Sequence, residues 1–213
     1  MGSLSPLRVL GLLMLAAVST ARLHAQVLEF ESGGLKYKAL TRGGVTIMFA
    51  PLPTRILGYS ILQVAISNGA PISWSFKPED FRFEREGGQK IQAVSAGTVV
   101  RQLLDHASRG DVGRLITAYE AALFGNAQVH STNGYESRRQ DYLAVGSTKL
   151  KAAAAASAIA LVTTKLEPGQ STDGAVFYPS GGKPLGSGKL VVNAAGEVFE
   201  FPVEAEIQQR AAR

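Results

Sequence analysis

Ile61-Leu62-Gln63-Val64-Ala65-Ile66-Ser67-Asn68-Gly69 places Leu62, Val64 and Ile66 on one side of an extended chain and closes on a turn dipeptide. Alternation of apolar and other residues is the period of a β-strand with one buried face, and Asn-Gly readily adopts the positive φ of tight turns. The same pattern extends to either side. Val45, Ile47 and Phe49 alternate before it, and Ile72, Trp74 and Phe76 alternate after it. Pro78 interrupts, Phe81 and Phe83 resume the alternation, and Gly87-Gly88 turns the chain into a short strand from Lys90 to Val94. Strands at this spacing, from about Leu35 onward, imply an antiparallel sandwich or barrel.

The period changes between about 97 and 156. Val99, Val100, Leu103 and Leu104 share one helical face, and Val112, Leu115, Ile116, Tyr119, Ala122 and Leu123 share another. Ser108-Arg109-Gly110 separates these two predicted helices, Asp111 is placed to cap the second, and Gly125-Asn126 ends it. A third helix is predicted from Asn133, with Glu136 reaching back in a variant of the capping box. It weakens at Gly146 and resumes into the alanine run Ala152 to Ala156, a segment suited to close packing against a neighbour. Strand signals return over Ser157–Leu166, Gly174–Tyr178, Lys189–Val192 and Val198–Val203, and the tail from Ile207 is expected to fray. Neither β half has enough strands to close a sandwich alone. The order β, α, β therefore predicts one domain over 26–213, mainly β, interrupted by a helical insertion at about 97–156.

Residues 1–25 read differently from the rest. Arg8 precedes the apolar run Val9 to Val18, and small residues follow, ending at Ala21 or Ala25; this is the layout of a secretory signal peptide. The run is about half the roughly 20 apolar residues needed to span a bilayer. Cleavage after Ala25 is expected, giving a periplasmic or secreted chain that meets a membrane only if the signal is retained. The sequence has no Cys, hence neither disulfides nor the thiol a bacterial lipoprotein acylates. An extracellular eukaryotic domain of this size commonly uses disulfides, so the composition favours a bacterial exported protein. Loss of Arg8 and Arg22 with the signal lowers the formal charge from +5 to +3. The remaining charges are interspersed, which argues against nucleic acid as a partner.

Three segments carry a resemblance: Ile61 to Gly69, the strand Phe81-Arg82-Phe83, and Leu166-Glu167-Pro168-Gly169-Gln170-Ser171-Thr172-Asp173-Gly174-Ala175-Val176-Phe177-Tyr178. They resemble the immunoglobulin-like β-sandwich domains of exported bacterial proteins of unknown function. The resemblance covers the two β halves and omits about 97–156. It implies an immunoglobulin-like antiparallel β-sandwich and a non-catalytic envelope or secreted module; the group has no shared catalytic residues to transfer.

Several clusters carry residue types suited to chemistry. Asp105, His106 and Asp111 form the nearest thing to a metal set, although no further ligand has a recognisable spacing, and a helix-end dipole contact plus a cap explains them as well. The polar stretch His130 to Arg139 contains His130, Asn133, Tyr135, Glu136, Arg138 and Arg139 at a predicted helix start, where N–H groups and guanidinium groups suit an anionic group. Gly181 to Lys189 fails the phosphate-loop pattern, since Lys183 stands where Gly is required and Leu190 follows the Lys. Trp74, Phe76, Phe81 and Phe83 suit either a core or a sugar-stacking platform. No Gly-x-Ser-x-Gly elbow exists. The expectation is an exported, non-enzymatic binding or structural module without a cofactor, whose partner is a protein or envelope component. The competing expectation is an enzyme, or a small-ligand or metal binder, with a site between helices and sheet lined by His106, His130, Tyr135, Glu136 and Arg138.

Overall fold

The computed structural model describes residues 26–106, 108–124 and 134–204. Eleven strands occur there: β1 (Leu28–Ser32), β2 (Leu35–Arg42), β3 (Val45–Pro51), β4 (Tyr59–Asn68), β5 (Trp74–Phe76), β6 (Phe81–Arg85), β7 (Lys90–Gln92), β8 (Thr164–Leu166), β9 (Ser171–Pro179), β10 (Gly188–Ala194) and β11 (Glu197–Val203). Between β7 and β8 lie α1 (Ala96–His106), α2 (Arg109–Phe124), α3 (Tyr135–Ala144) and α4 (Thr148–Ile159). The fold is thus mainly β with a helical insertion. All strand pairs are antiparallel, in sheets ordered β1-β2-β3-β4-β9, β11-β10-β6-β7 and β5-β8.

The five-stranded sheet is buried on both faces along β3, β4 and β9, while β1 at its edge is largely exposed. Leu40, Val45, Ile47, Phe49, Leu62, Val64, Ile66, Val176 and Tyr178 face the four-stranded sheet and its Phe81, Phe83, Leu190, Val192, Phe199 and Phe201. Phe49 meets Phe201 edge-on with ring centroids 5.1 Å apart. On the opposite face Tyr37, Ala50, Ile61, Ala65, Ala175 and Phe177 pack beneath Val99, Leu103, Leu115, Tyr119 and the alanines of α4. The layers therefore run helices, sheet, sheet. Small residues Ala39, Ala50, Ala65 and Ala175 in the helix-facing rows let the helices approach the sheet.

Both ends of the helical insertion are tied to one strand. Val94, just before α1, donates its N–H to the Phe177 carbonyl at 3.0 Å, and Leu161, just after α4, donates to the Ala175 carbonyl at 2.9 Å. The two roots therefore sit two residues apart on β9, and they cover its otherwise open edge. Gly174 makes this possible: a Cβ there would lie 2.6 Å from the Leu161 backbone N and Cα.

Several sequence expectations are corrected. The segment 157–166 is not one strand; α4 continues to Ile159, because Ala152, Ala155, Ala156 and Ile159 follow helical spacing and are all buried, leaving strand only at Thr164–Leu166. The second helix begins at Arg109, so Asp111 falls in its first turn and is not its cap. The third begins at Tyr135 with Gly134 as its N-cap in the left-handed region, which displaces Asn133 from that role; it ends at Ala144, and α4 is a separate helix. Asn68-Gly69 forms no positive-φ hairpin turn. Instead the buried Asn68 amide donates to the carbonyls of Ile72 (2.8 Å) and Leu166 (3.0 Å) and accepts from the Ala70 N–H (3.1 Å), pinning the end of β4 to the β8 segment. The expected signal peptide, residues 1–25, and the tail from Ile207 lie outside the described residues.

The root contact supplies a direct test. Gly174→Ala is expected to lower stability by about 2–3 kcal/mol, because the added methyl meets backbone that cannot rotate away. Gly87→Ala, whose Cβ would meet nothing within 4 Å, is expected to be near neutral. Urea denaturation of the two variants checks the difference.

Candidate functional site

Two polar regions stand out, one beneath the helices and one at the edge of the sandwich. In the first, the hydroxyl of Tyr119 on α2 donates to Asp173 Oδ2 on β9 at 2.5 Å, and Gln63 Nε2 on β4 reaches the same oxygen at 3.4 Å. All three residues are buried. The Tyr119 ring lies against Tyr135 with centroids 5.1 Å apart. Tyr135, at the start of α3, donates its hydroxyl to Glu120 Oε1 at 2.7 Å, and Arg139 Nε donates to the same atom at 2.5 Å. Burial, then the bond to Glu120, pushes the Tyr135 phenol far above its ordinary value; burial also raises Tyr142. The Glu120 bond holds the Arg139 guanidinium more firmly protonated. A carboxylate already accepting from a phenol and a guanidinium joins α2 to α3, and a phenol held protonated is a poor nucleophile or base.

The residues singled out in the sequence are dispersed. Tyr135 is interior, Arg139 is half-buried against Glu120, and Glu136 is exposed. Arg138 is half-buried, and its Nε and Nη2 meet no acceptor among the described residues. His130 and Asn133 lie outside the described residues. Asp105 and His106 are exposed at the end of α1, where the Asp105 carbonyl accepts from Lys149 Nζ at 3.2 Å. Among the described residues no group of three or more His, Cys, Asp or Glu is arranged to hold a metal ion, and no helix is long and apolar enough to cross a membrane.

The second region is a cleft of about 890 Å³ where the β5-β8 ribbon meets the β10-β11 turn. Trp74 is half-buried there, whereas Phe76, Phe81 and Phe83 are fully buried in the sandwich core. The four aromatics are thus divided between the cleft and the core. The turn at Ala195-Gly196, both residues with positive φ, passes beside the indole: a Cβ on Gly196 would lie 3.9 Å from Trp74 Cη2. Ser75, Lys77, Asp80, Asn193 and Glu197 line the same cleft. Asp80 Oδ2 accepts from the Lys77 N–H at 2.9 Å across the 3-10 turn Pro78–Asp80. Burial raises the Asp80 carboxyl above its ordinary value, with Lys77 pulling it back. Of this set only Trp74 was singled out from the sequence. The chain's one Trp between two serines was the available local signal; the pairing of Trp74 with Leu166, which builds the wall, is not local.

No family model matches the chain, and no curated protein matches it. Among solved structures, the yjhA protein from Bacillus subtilis is similar over 78% of this chain and 77% of that one, at 12% identity and a TM-score of 0.32. A likeness of that size adds nothing to what the residues say of fold or function.

The buried phenols set an alkaline limit. The Tyr135, Tyr142, Tyr59 and Tyr178 phenols are all raised from 10.0, so the native state keeps their protons where the unfolded chain releases them. Stability is then fully present below pH 10 and falls above it, by as much as about 1.4 kcal/mol per pH unit for each phenol still protonated in the native state. Tyr178→Phe is expected to flatten that fall. Its hydroxyl is buried with no hydrogen-bond partner among the described residues, so this variant is expected to be neutral or more stable by about 1 kcal/mol near pH 7. Tyr135→Phe, which strips a donor from Glu120, is expected to lose about 1–3 kcal/mol. Melting temperatures from pH 7 to 11 check all three statements.

Proposed function

We propose that this chain is an exported, non-enzymatic binding or structural module of the bacterial cell envelope, an immunoglobulin-like antiparallel sandwich with a helical layer over one face. The observation that carries the reading is the Trp74 cleft. An indole, hydroxyls, an amide and charged groups stand there on the β5-β8 ribbon and on the ends and turn of β10 and β11, and strand ends and turns on a rigid scaffold are the usual place for recognition. The charged groups of the helical layer serve it less well as a reaction site. Glu120 is engaged by Tyr135 and Arg139, and Asp173 by Tyr119 and Gln63, which ties helices to one another and to the sheet. An enzyme built between helices and sheet would need His106, Tyr135, Glu136 and Arg138 to converge; exposed His106 and Glu136 and interior Tyr135 fit that poorly. The charge and apolar layout of residues 1–25 supports export.

Expression of the full chain in a Gram-negative host, with fractionation and N-terminal sequencing, tests the reading. A chain beginning at Gln26 or Arg22 in the periplasm or medium is expected. An intact chain beginning at Met1 in the cytosol would overturn it.

A further inference from the structure

Among the described residues the cleft beside Trp74 has a volume of about 890 Å³, within the range of about 300–1,000 Å³ typical of sites for small molecules. Its walls come from three separate pieces of chain: the stretch from Ser73 through β5 to Asp80, Thr163 just before β8, and the β10-β11 hairpin. The first and last are held by the sandwich. Phe76 and Pro78 are buried on either side of Lys77, and β10 pairs with both β6 and β11. The backbone that carries the lining groups is therefore fixed before any ligand arrives, which lowers the entropy lost on binding.

We propose that this cleft is a saccharide-binding site that takes a neutral sugar of about disaccharide length, with one ring against Trp74. The proposal rests on the reading of the chain as a binding module and gives that module a ligand class. Charge selects among the classes of ligand. Asp80 and Glu197 against Lys77 leave the lining with a net negative charge, which opposes an anion, while the Lys77 ammonium competes with any cation for the two carboxylates. A neutral polyol avoids both costs, and titration with choline measures the cation directly. Each sugar hydroxyl is both donor and acceptor, and the rim offers partners of each kind: carboxylate acceptors at Asp80 and Glu197, an ammonium donor at Lys77, and groups that do both at Asn193 and Ser75. The C–H face of a pyranose carries slight positive charge and suits the negative face of an indole. An all-apolar ligand would strand these polar groups without partners, which disfavours it.

Trp74 is the only Trp in the chain, so its emission reports this cleft alone. The experiment titrates the mature chain with maltose, cellobiose and di-N-acetylchitobiose, and in separate arms with choline and inorganic phosphate. At least one disaccharide is expected to change the emission saturably, with a midpoint below about 10 mM, an affinity within reach of one stacked ring and a few hydrogen bonds. Asn193→Ala and Glu197→Gln are expected to weaken that binding about fivefold or more with unchanged melting temperature; calorimetry repeats the measurement on the unaltered chain, so that the result does not depend on one fluorophore, and Trp74→Ala is expected to weaken it as well. The proposal is overturned if no disaccharide saturates, if choline or phosphate binds as well as the best sugar, or if the two rim variants bind that sugar undiminished. Failure of these titrations in a chain found exported removes the sugar and leaves the module reading standing. Saturable sugar binding by a chain retained in the cytosol does the reverse.

Discussion

Everything in this molecule depends on burying both faces of β4 and β9. A sheet wetted on one face would show a polar residue at every second position; β4 instead runs Tyr59 to Asn68 with every residue buried except the half-buried Ser67. Its two faces need two covers. Leu62, Val64 and Ile66 take the four-stranded sheet, and Ile61, Gln63 and Ala65 take the helices. Burial of a Leu, Ile or Val side chain contributes about 1.5–3 kcal/mol, so neither cover can be removed without exposing a continuous apolar surface. The helical insertion is therefore a structural layer as much as an addition.

The polar atoms on the helix side follow from the same constraint. A carboxylate taken out of water needs hydrogen bonds in return, and Asp173 obtains one from Tyr119, which the helix brings down onto the sheet. Glu120, the next residue along α2 and about 100° around it, binds Tyr135 and Arg139 of α3. Adjacent residues thus fasten α2 to the sheet and to its neighbour helix. Asn68 does comparable work at the far end of β4, where its amide joins the Ile72 and Leu166 carbonyls.

Much of this was legible in the sequence. The period of two marked Val45–Phe49, Leu62–Ile66 and Phe81–Phe83, and the helical faces of Val99 with Leu103 and of Leu115 with Tyr119 turned out to be the buried ones. What local pattern cannot express was missed. Gln63 reads as an outward polar residue, and only the helices packed above it make it interior. Glu29 and Glu31 concealed β1 because it is an edge strand with exposed side chains. Asn68 reads as a turn former, whereas its partner Leu166 is nearly a hundred residues away. The site was less legible for the same reason. The polar run ending at Arg139 attracts attention by composition, but helix packing turns Tyr135 inward and gives Arg139 to Glu120. The groups around Trp74 carry no shared motif, being gathered by the β5-β8 pairing and the β10-β11 turn.

If the helical layer and the double sheet are one unit built on β4 and β9, they must unfold together. Equilibrium denaturation followed at once by far-UV helix signal and by Trp74 emission, one probe in each layer, measures this directly. Two coincident transitions with a single midpoint are expected. Loss of the helix signal at lower denaturant, with Trp74 emission still native, would contradict a sheet that needs both covers.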